Sequence, residues 1–162
     1  MVSLDTVTAL LAKHEGFRPT AYKDTRGFLT IGYGTNLDAI GAPSQCQAAG
    51  LDYQRLRDGD PLSSRQALVL MQRAARHAMD CATIRVHDFT EMPENVQLAV
   101  VDMLYDLGFA GFSEFRQFIH AIEAQDWPTA IAEMKNSAWF HQVGQRALDD
   151  IALVESAITV PA

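Results

Sequence analysis

His14-Glu15-Gly16-Phe17-Arg18-Pro19-Thr20-Ala21-Tyr22-Lys23-Asp24-Thr25-Arg26-Gly27-Phe28-Leu29-Thr30-Ile31-Gly32-Tyr33-Gly34 is the stretch on which the fold turns. Before it, Ser3 can cap a helix whose apolar positions Leu4, Val7, Leu10 and Leu11 follow the spacing of one helical face, and Gly16 ends that helix. From Ala21 to Tyr33 the chemistry changes. Tyr22, Phe28, Thr30, Ile31 and Tyr33 are aromatic or β-branched, which suits a pleated, half-buried strand. Asp24-Thr25-Arg26-Gly27 supplies turn chemistry between them. The stretch predicts a β-hairpin with a flexible exit at Gly32-Tyr33-Gly34.

Outward from the hairpin the chain reads as helical. Residues 35–62 are broken by Gly41, Pro43, Gly50, Gly59 and Pro61, which leaves room for one or two short helices. Ser63 and Gln66 have the capping-box spacing and open a long helix. Its apolar face runs through Leu68, Met71, Ala75, Ala78 and Ala82 to about Ile84. Another starts near Pro93 and runs through Val96, Val100, Met103 and Leu107 to Gly108. Further helices are expected over residues 113–124, 127–135 and 144–158. The fold class is therefore α+β and mostly helical, in a single domain of two lobes. The hairpin lobe covers about 14–62 and a connecting helix about 63–85. A helical lobe covers about 86–162, with the first helix packed on it. A cleft between two such lobes is where a polymeric ligand would lie.

With 162 residues, 48% of them hydrophobic, the chain can bury a core without disulfides. Cys46 and Cys81 show no CxxC or metal-like spacing, so free thiols are favoured over a bridge. His14, His77, His87, His120 and His141 never pair at i, i+4 on one helix, so a metal site is not expected. No apolar run approaches the ~20 residues of a membrane span. The first residues alternate Asp5, Thr6 and Thr8 with leucines rather than forming a signal peptide, so synthesis in the cytoplasm without a visible export signal is expected. A net charge of −7 disfavours nucleic acid as a partner.

Glu15 breaks a local rule. It closes the first helix, where the macrodipole is negative and a carboxylate is disfavoured by ~0.3–1 kcal/mol. A disfavoured charge suits a group that must hold and then donate a proton. An ordinary exposed glutamate at a frayed helix end is the competing explanation. Asp24 is also a preferred turn-opening residue, and Thr30 an ordinary strand former. Together they make one ordered pattern: Glu15, eight residues, Asp24, five residues, Thr30. Hydrolysis of a glycosidic bond needs one carboxyl to protonate the leaving oxygen and a second to activate or steer the nucleophile.

The block from His14 to Arg18, then Ala21 to Gly27, then Leu29 to Gly34 resembles the active-site segment of the T4-type phage lysozymes, the phage endolysin muramidases. Val101-Asp102-Met103-Leu104-Tyr105-Asp106-Leu107-Gly108 is similar to that family's helix entering a glycine turn. Ser137-Ala138-Trp139-Phe140 with Gln142, and Gln145-Arg146-Ala147, resemble its closing segment. The resemblance spans about residues 4–148, with little support from 36–62. It implies hydrolysis of the β-1,4 bond between N-acetylmuramic acid and N-acetylglucosamine, with inversion and without a metal or cofactor. Glu15 would be the general acid, Asp24 would orient or activate water, and Thr30 would help place that water. Tyr33, Asp106, Gln142 and Arg146 would bind substrate or support the site, Arg146 by pairing with the catalytic glutamate. The partner implied is the peptidoglycan glycan strand, met by a monomer in the periplasm or outside the cell, with a holin or secretion system for delivery.

Three departures stand out. Many relatives have Gly-His where this chain has Gly34-Thr35, so a buried His–Asp pair found in some of them cannot form. Asp106 stands where relatives often carry Asn or Gln. The negative charge contrasts with the basic phage enzymes and weakens long-range attraction to an anionic wall. A non-catalytic glycan-binding module on the same fold is the alternative from another class, and a glycosidase acting on chitin is a third. Arg73, Arg76 and His77 read as a solvated basic stripe, and Trp127, Trp139 and the methionines 71, 79, 103 and 134 as core.

Overall fold

The computed structural model describes residues 1–158. It is mostly helical, with one small antiparallel sheet. In chain order come α1 (Leu4–Glu15), β1 (Arg18–Lys23), β2 (Leu29–Gly32), β3 (Thr35–Asn36), α2 (Ala42–Ala48), α3 (Tyr53–Arg57) and α4 (Ser64–Arg85). A 3₁₀ turn (Phe89–Glu91) precedes α5 (Glu94–Ser113), α6 (Arg116–Glu123), α7 (Trp127–Lys135), α8 (Ala138–Val143) and α9 (Gln145–Ile158). Packing divides the chain into two units: Thr8–Ala75, and Met1–Val7 with the chain from Arg76 onward.

In the first unit the sheet has the order β1-β2-β3. Tyr22 pairs with Thr30 and Lys23 with Leu29, and an irregularity between Arg18 and Tyr22 lets β1 begin earlier than the sequence suggested. The hairpin turn closes through Gly27 N–H to the Asp24 carbonyl at 3.0 Å. Gly27 has φ +86°, a conformation that costs a side-chain-bearing residue strain. The flexible exit expected at Gly32-Tyr33-Gly34 is a tight turn instead. It leads directly into β3, where Thr35 pairs with Ile31 and Asn36 with Thr30. Two short helices, α2 and α3, follow as expected. Ile31, Leu37, Cys46, Leu56, Leu62, Ala67 and Leu70 form the core beneath the sheet. Asp38 ties its edge: it accepts Leu29 N–H at 2.7 Å and meets Arg57 Nη1 at 2.8 Å. Those two contacts, the backbone bond first, hold its carboxyl below the usual carboxylate range.

Local capping is as the sequence predicts. Thr6 N–H donates to Ser3 Oγ at 3.1 Å. At the head of α4, Gln66 N–H donates to Ser63 Oγ at 3.1 Å and Ser63 N–H donates to Gln66 Oε1 at 2.9 Å. These bonds satisfy donors that a helix start leaves unpaired.

The second unit is helical. α5 does not end at Gly108; that residue, at φ +71° and ψ 168°, interrupts a helix that resumes and reaches Ser113. By length and composition α5 could cross a membrane, contrary to the reading that no segment approaches that size. Its apolar residues Val96, Val100, Val101, Met103 and Leu104 are packed inside this unit. Gln97, also fully buried, is satisfied on every side: it accepts Val2 N–H at 2.8 Å and donates to the carbonyls of Thr90 and Met92. α6 begins at Arg116 rather than 113, because Phe115 lies outside the helical conformation. α8 was not foreseen; Ser137 Oγ caps it by accepting Phe140 N–H at 3.1 Å. Both cysteines are buried and free. Met71, Met103 and Met134 are buried, as are Trp127 and Trp139.

Candidate active site

Glu15 is the last residue of α1 and is half-buried. Gly16 then turns the chain towards β1, with its N–H returning to the Ala12 carbonyl at 3.1 Å. The Glu15 side chain lies against the backbone of Gly34 in the turn between β2 and β3. A Cβ on Gly34 would stand 3.4 Å from the Glu15 carboxyl carbon and 2.8 Å from its Oε2, the latter nearer than real Cβ contacts come. Glycine at 34 is thus what lets the carboxylate approach main chain. Next to it Tyr33 packs on Phe17 with ring centroids 5.3 Å apart and planes tilted by 45°, so helix exit and turn are held by the same pair of rings.

Asp24 divides its carboxylate between two tasks. Oδ1 accepts the N–H groups of Arg26 at 2.8 Å and Phe28 at 2.9 Å, which braces the hairpin turn. Oδ2 has a loose 3.9 Å pairing to the exposed Arg26 Nε, a weak surface contact. The turn contacts thus occupy Oδ1 and leave Oδ2 with that surface pairing. Thr30 is buried on β2, and its hydroxyl donates to the Phe28 carbonyl at 3.1 Å. Asp24 and Thr30 are locked to one another through Phe28: its N–H goes to the carboxylate and its C=O receives the hydroxyl.

The other four candidates divide between the units. Tyr33 belongs with Glu15, Asp24 and Thr30; Asp106, Gln142 and Arg146 belong to the helical unit. There Arg146 is the centre of a charged cluster. Its Nε and Nη2 meet Asp102 Oδ2 and Oδ1 at 2.8 and 2.9 Å, and Nη1 reaches Asp106 Oδ1 at 3.2 Å. Trp139 Nε1 donates to Asp106 Oδ2 at 2.9 Å, so this indole is both core and anchor. Gln142 stands exposed on α8.

Sequence reasoning missed two acidic members of this cluster. Asp102 is 1% exposed and Asp150 is fully buried. A signal was available for the second: Asp150 falls in the stripe of Ala147, Ile151 and Val154, where a helix facing a core should be apolar.

A mostly helical α+β chain with a small antiparallel sheet directly after its first helix has the architecture of a lysozyme-like fold. The chain belongs to the phage lysozyme family, whose model matches residues 12–154. It is similar to probable T4-type lysozyme 1 of Dictyostelium discoideum, at 23% identity over 94% of this chain and 95% of that protein. Probable T4-type lysozyme 2 of the same organism is 26% identical over 91% of this chain and 92% of that one. The pre-baseplate central spike protein Gp5 of Enterobacteria phage T4 is 23% identical over 88% of this chain, which corresponds to 26% of its own length.

Proposed function

We propose that this chain is a muramidase that hydrolyses the β-1,4 bond between N-acetylmuramic acid and N-acetylglucosamine in peptidoglycan. The observation that carries the reading is the placement of Glu15 against Gly34, with Asp24 and Thr30 on the adjoining hairpin. In this reading Glu15 protonates the glycosidic oxygen as the bond breaks. Asp24 polarises a water through the oxygen that the turn leaves over, and Thr30 helps position that water. Attack by this water from the opposite face inverts the anomeric centre. Tyr33, Asp106, Gln142 and Arg146 support the sugar or the site around it.

The test is digestion of purified peptidoglycan followed by identification of the new reducing ends, with chitin as a parallel substrate. Muramic acid ends are expected, and Glu15→Gln should lower their rate of appearance by ~10²–10⁴-fold with the circular dichroism spectrum unchanged. Glucosamine ends would assign a different bond. Binding of the glycan without new ends would assign a non-catalytic module, and full turnover by Glu15→Gln would move the site elsewhere.

A further inference from the structure

Asp150 lies on α9 with no exposed surface, and among the described residues neither of its carboxyl oxygens has a hydrogen-bond donor. The group it faces is Asp102, itself a buried carboxyl on α5. Arg146, one turn before Asp150 on α9, spends its guanidinium elsewhere: two nitrogens on Asp102 and the third on Asp106. A hydrogen bond between two carboxyls requires one of them to carry a proton, and two bare carboxylates excluded from water repel strongly. Arg146 takes both oxygens of Asp102 in a charge-assisted fork, which puts the negative charge there and leaves the proton to Asp150.

We propose that Asp150 remains a protonated carboxylic acid at neutral pH and shares that proton with Asp102, forming a proton-held clasp between α9 and α5 that alkali opens.

Among the described residues, Arg146 is the cation whose charge pulls on Asp150, and the other groups around it are mostly acidic or neutral. On α9 itself Asp149 adds a second negative charge, and its Oδ1 accepts from Gln145 Nε2 at 2.8 Å. α5 contributes Asp102, Asp106 and Tyr105, the last with its ring 5.9 Å from the Arg146 guanidinium carbon. Of the other helices packed on α9, α7 brings Glu133 and Lys135, and Lys135 is drawn to Glu155 at 3.5 Å; α8 brings His141. None of them gives either oxygen of Asp150 a donor. Burial first, then the Asp102 charge, push the Asp150 carboxyl up to about 10 against the opposing pull of Arg146.

In the unfolded chain Asp150 ionises near 3.8, whereas in the fold it keeps its proton to about 10. Its contribution favours folding most at or below the unfolded value and is lost progressively as pH rises between those limits. One proton difference shifts the folding equilibrium about tenfold per pH unit. Asp150→Asn is neutral at every pH and its amide can still donate to Asp102, so this slope disappears.

The experiment is carbon NMR of aspartate carboxyls across a pH titration, with urea unfolding of the same samples. One carboxyl carbon should keep its protonated shift through neutrality and be missing from Asp150→Asn. The ratio of folding constants, Asp150→Asn over the parent, should grow about tenfold per unit between about pH 5 and 8. Asp102→Asn removes the like charge, so the surviving resonance should titrate at lower pH; this variant and the parent titration keep the test open if Asp150→Asn fails to fold. Ionisation of every aspartate below about pH 5, or a pH-independent stability ratio, would overturn the proposal. So would an Asp102→Asn protein whose resonance titrates unchanged.

Discussion

Gly34 and Glu15 approach so closely that a single methyl group on the glycine would stand 2.8 Å from Glu15 Oε2. Gly34 also holds φ +80°, where a Cβ strains the backbone by ~1–2 kcal/mol. Gly34→Ala therefore has two separable effects. The backbone strain should lower the melting temperature by roughly 2–8 °C. The clash falls on the far end of a flexible side chain, so the carboxylate should swing away and lysis should drop at least about tenfold. Thermal melts read the first effect and turnover the second. An alanine protein with lowered stability and undiminished turnover would mean that the position of Glu15 is irrelevant to chemistry.

Asp24 should discriminate between its turn and its chemistry. Asp24→Asn keeps an oxygen to accept the Arg26 and Phe28 N–H groups, so stability should change by less than about 1 kcal/mol while turnover falls. Asp24→Ala loses both bonds and should cost about 1–3 kcal/mol as well. Thr30→Ala should reduce turnover less than Asp24→Asn, because a hydroxyl orients water whereas a carboxylate polarises it. If Asp24→Asn and Thr30→Ala both retain full rates, these residues serve the hairpin alone.

Arg146 holds both oxygens of the Asp102 carboxylate, whose side chain is fully buried. Arg146→Ala should cost roughly 3–5 kcal/mol, because it strands that charge rather than because the pair itself is strongly stabilising. Arg146→Lys should recover only part of the loss, since an ammonium cannot reproduce the two-nitrogen fork. Urea unfolding at pH 7 measures both. A loss below about 1 kcal/mol for Arg146→Ala would show that solvent or another cation reaches Asp102.

Salt should affect this protein differently from a basic lysozyme. At −7 overall, what salt screens against an anionic wall is repulsion, and screening lengths fall from ~30 Å at 0.01 M to ~8 Å at physiological strength. Initial lysis of permeabilised Gram-negative cells should hold steady or rise over that range. A steep fall would point to a local basic patch, and the exposed Arg73-Arg76-His77 stripe on α4 is the first place to substitute.

Local chemistry by itself determined much of this protein. Ser3, Ser63 and Gln66 mark helix starts because a cap bonds within three residues of itself. Asp24 to Gly27 mark the turn for the same reason, and long apolar faces such as that of α4 repeat often enough to be read. The order of Glu15, Asp24 and Thr30 was legible too, since helix end, turn and strand follow one another without a break. The two short helices between Gly41 and Gly59 were expected, but two other short elements were not legible. α8 spans too few residues to show a period, and β3 exists only because Ile31 and Thr30 lie opposite it.

Tertiary structure alone decided which charges are buried and what neighbours them. Nothing near Gly34 in the sequence says that its bare backbone receives Glu15, and nothing near Asp102 says that Arg146 will grip it from another helix. Asp150 could be seen to break an apolar stripe, but not that another carboxyl would face it. The physical reason is range. Caps, turns and periodicity are settled within a few residues, whereas desolvation and Coulomb terms depend on whatever the fold brings near, however far apart in the chain.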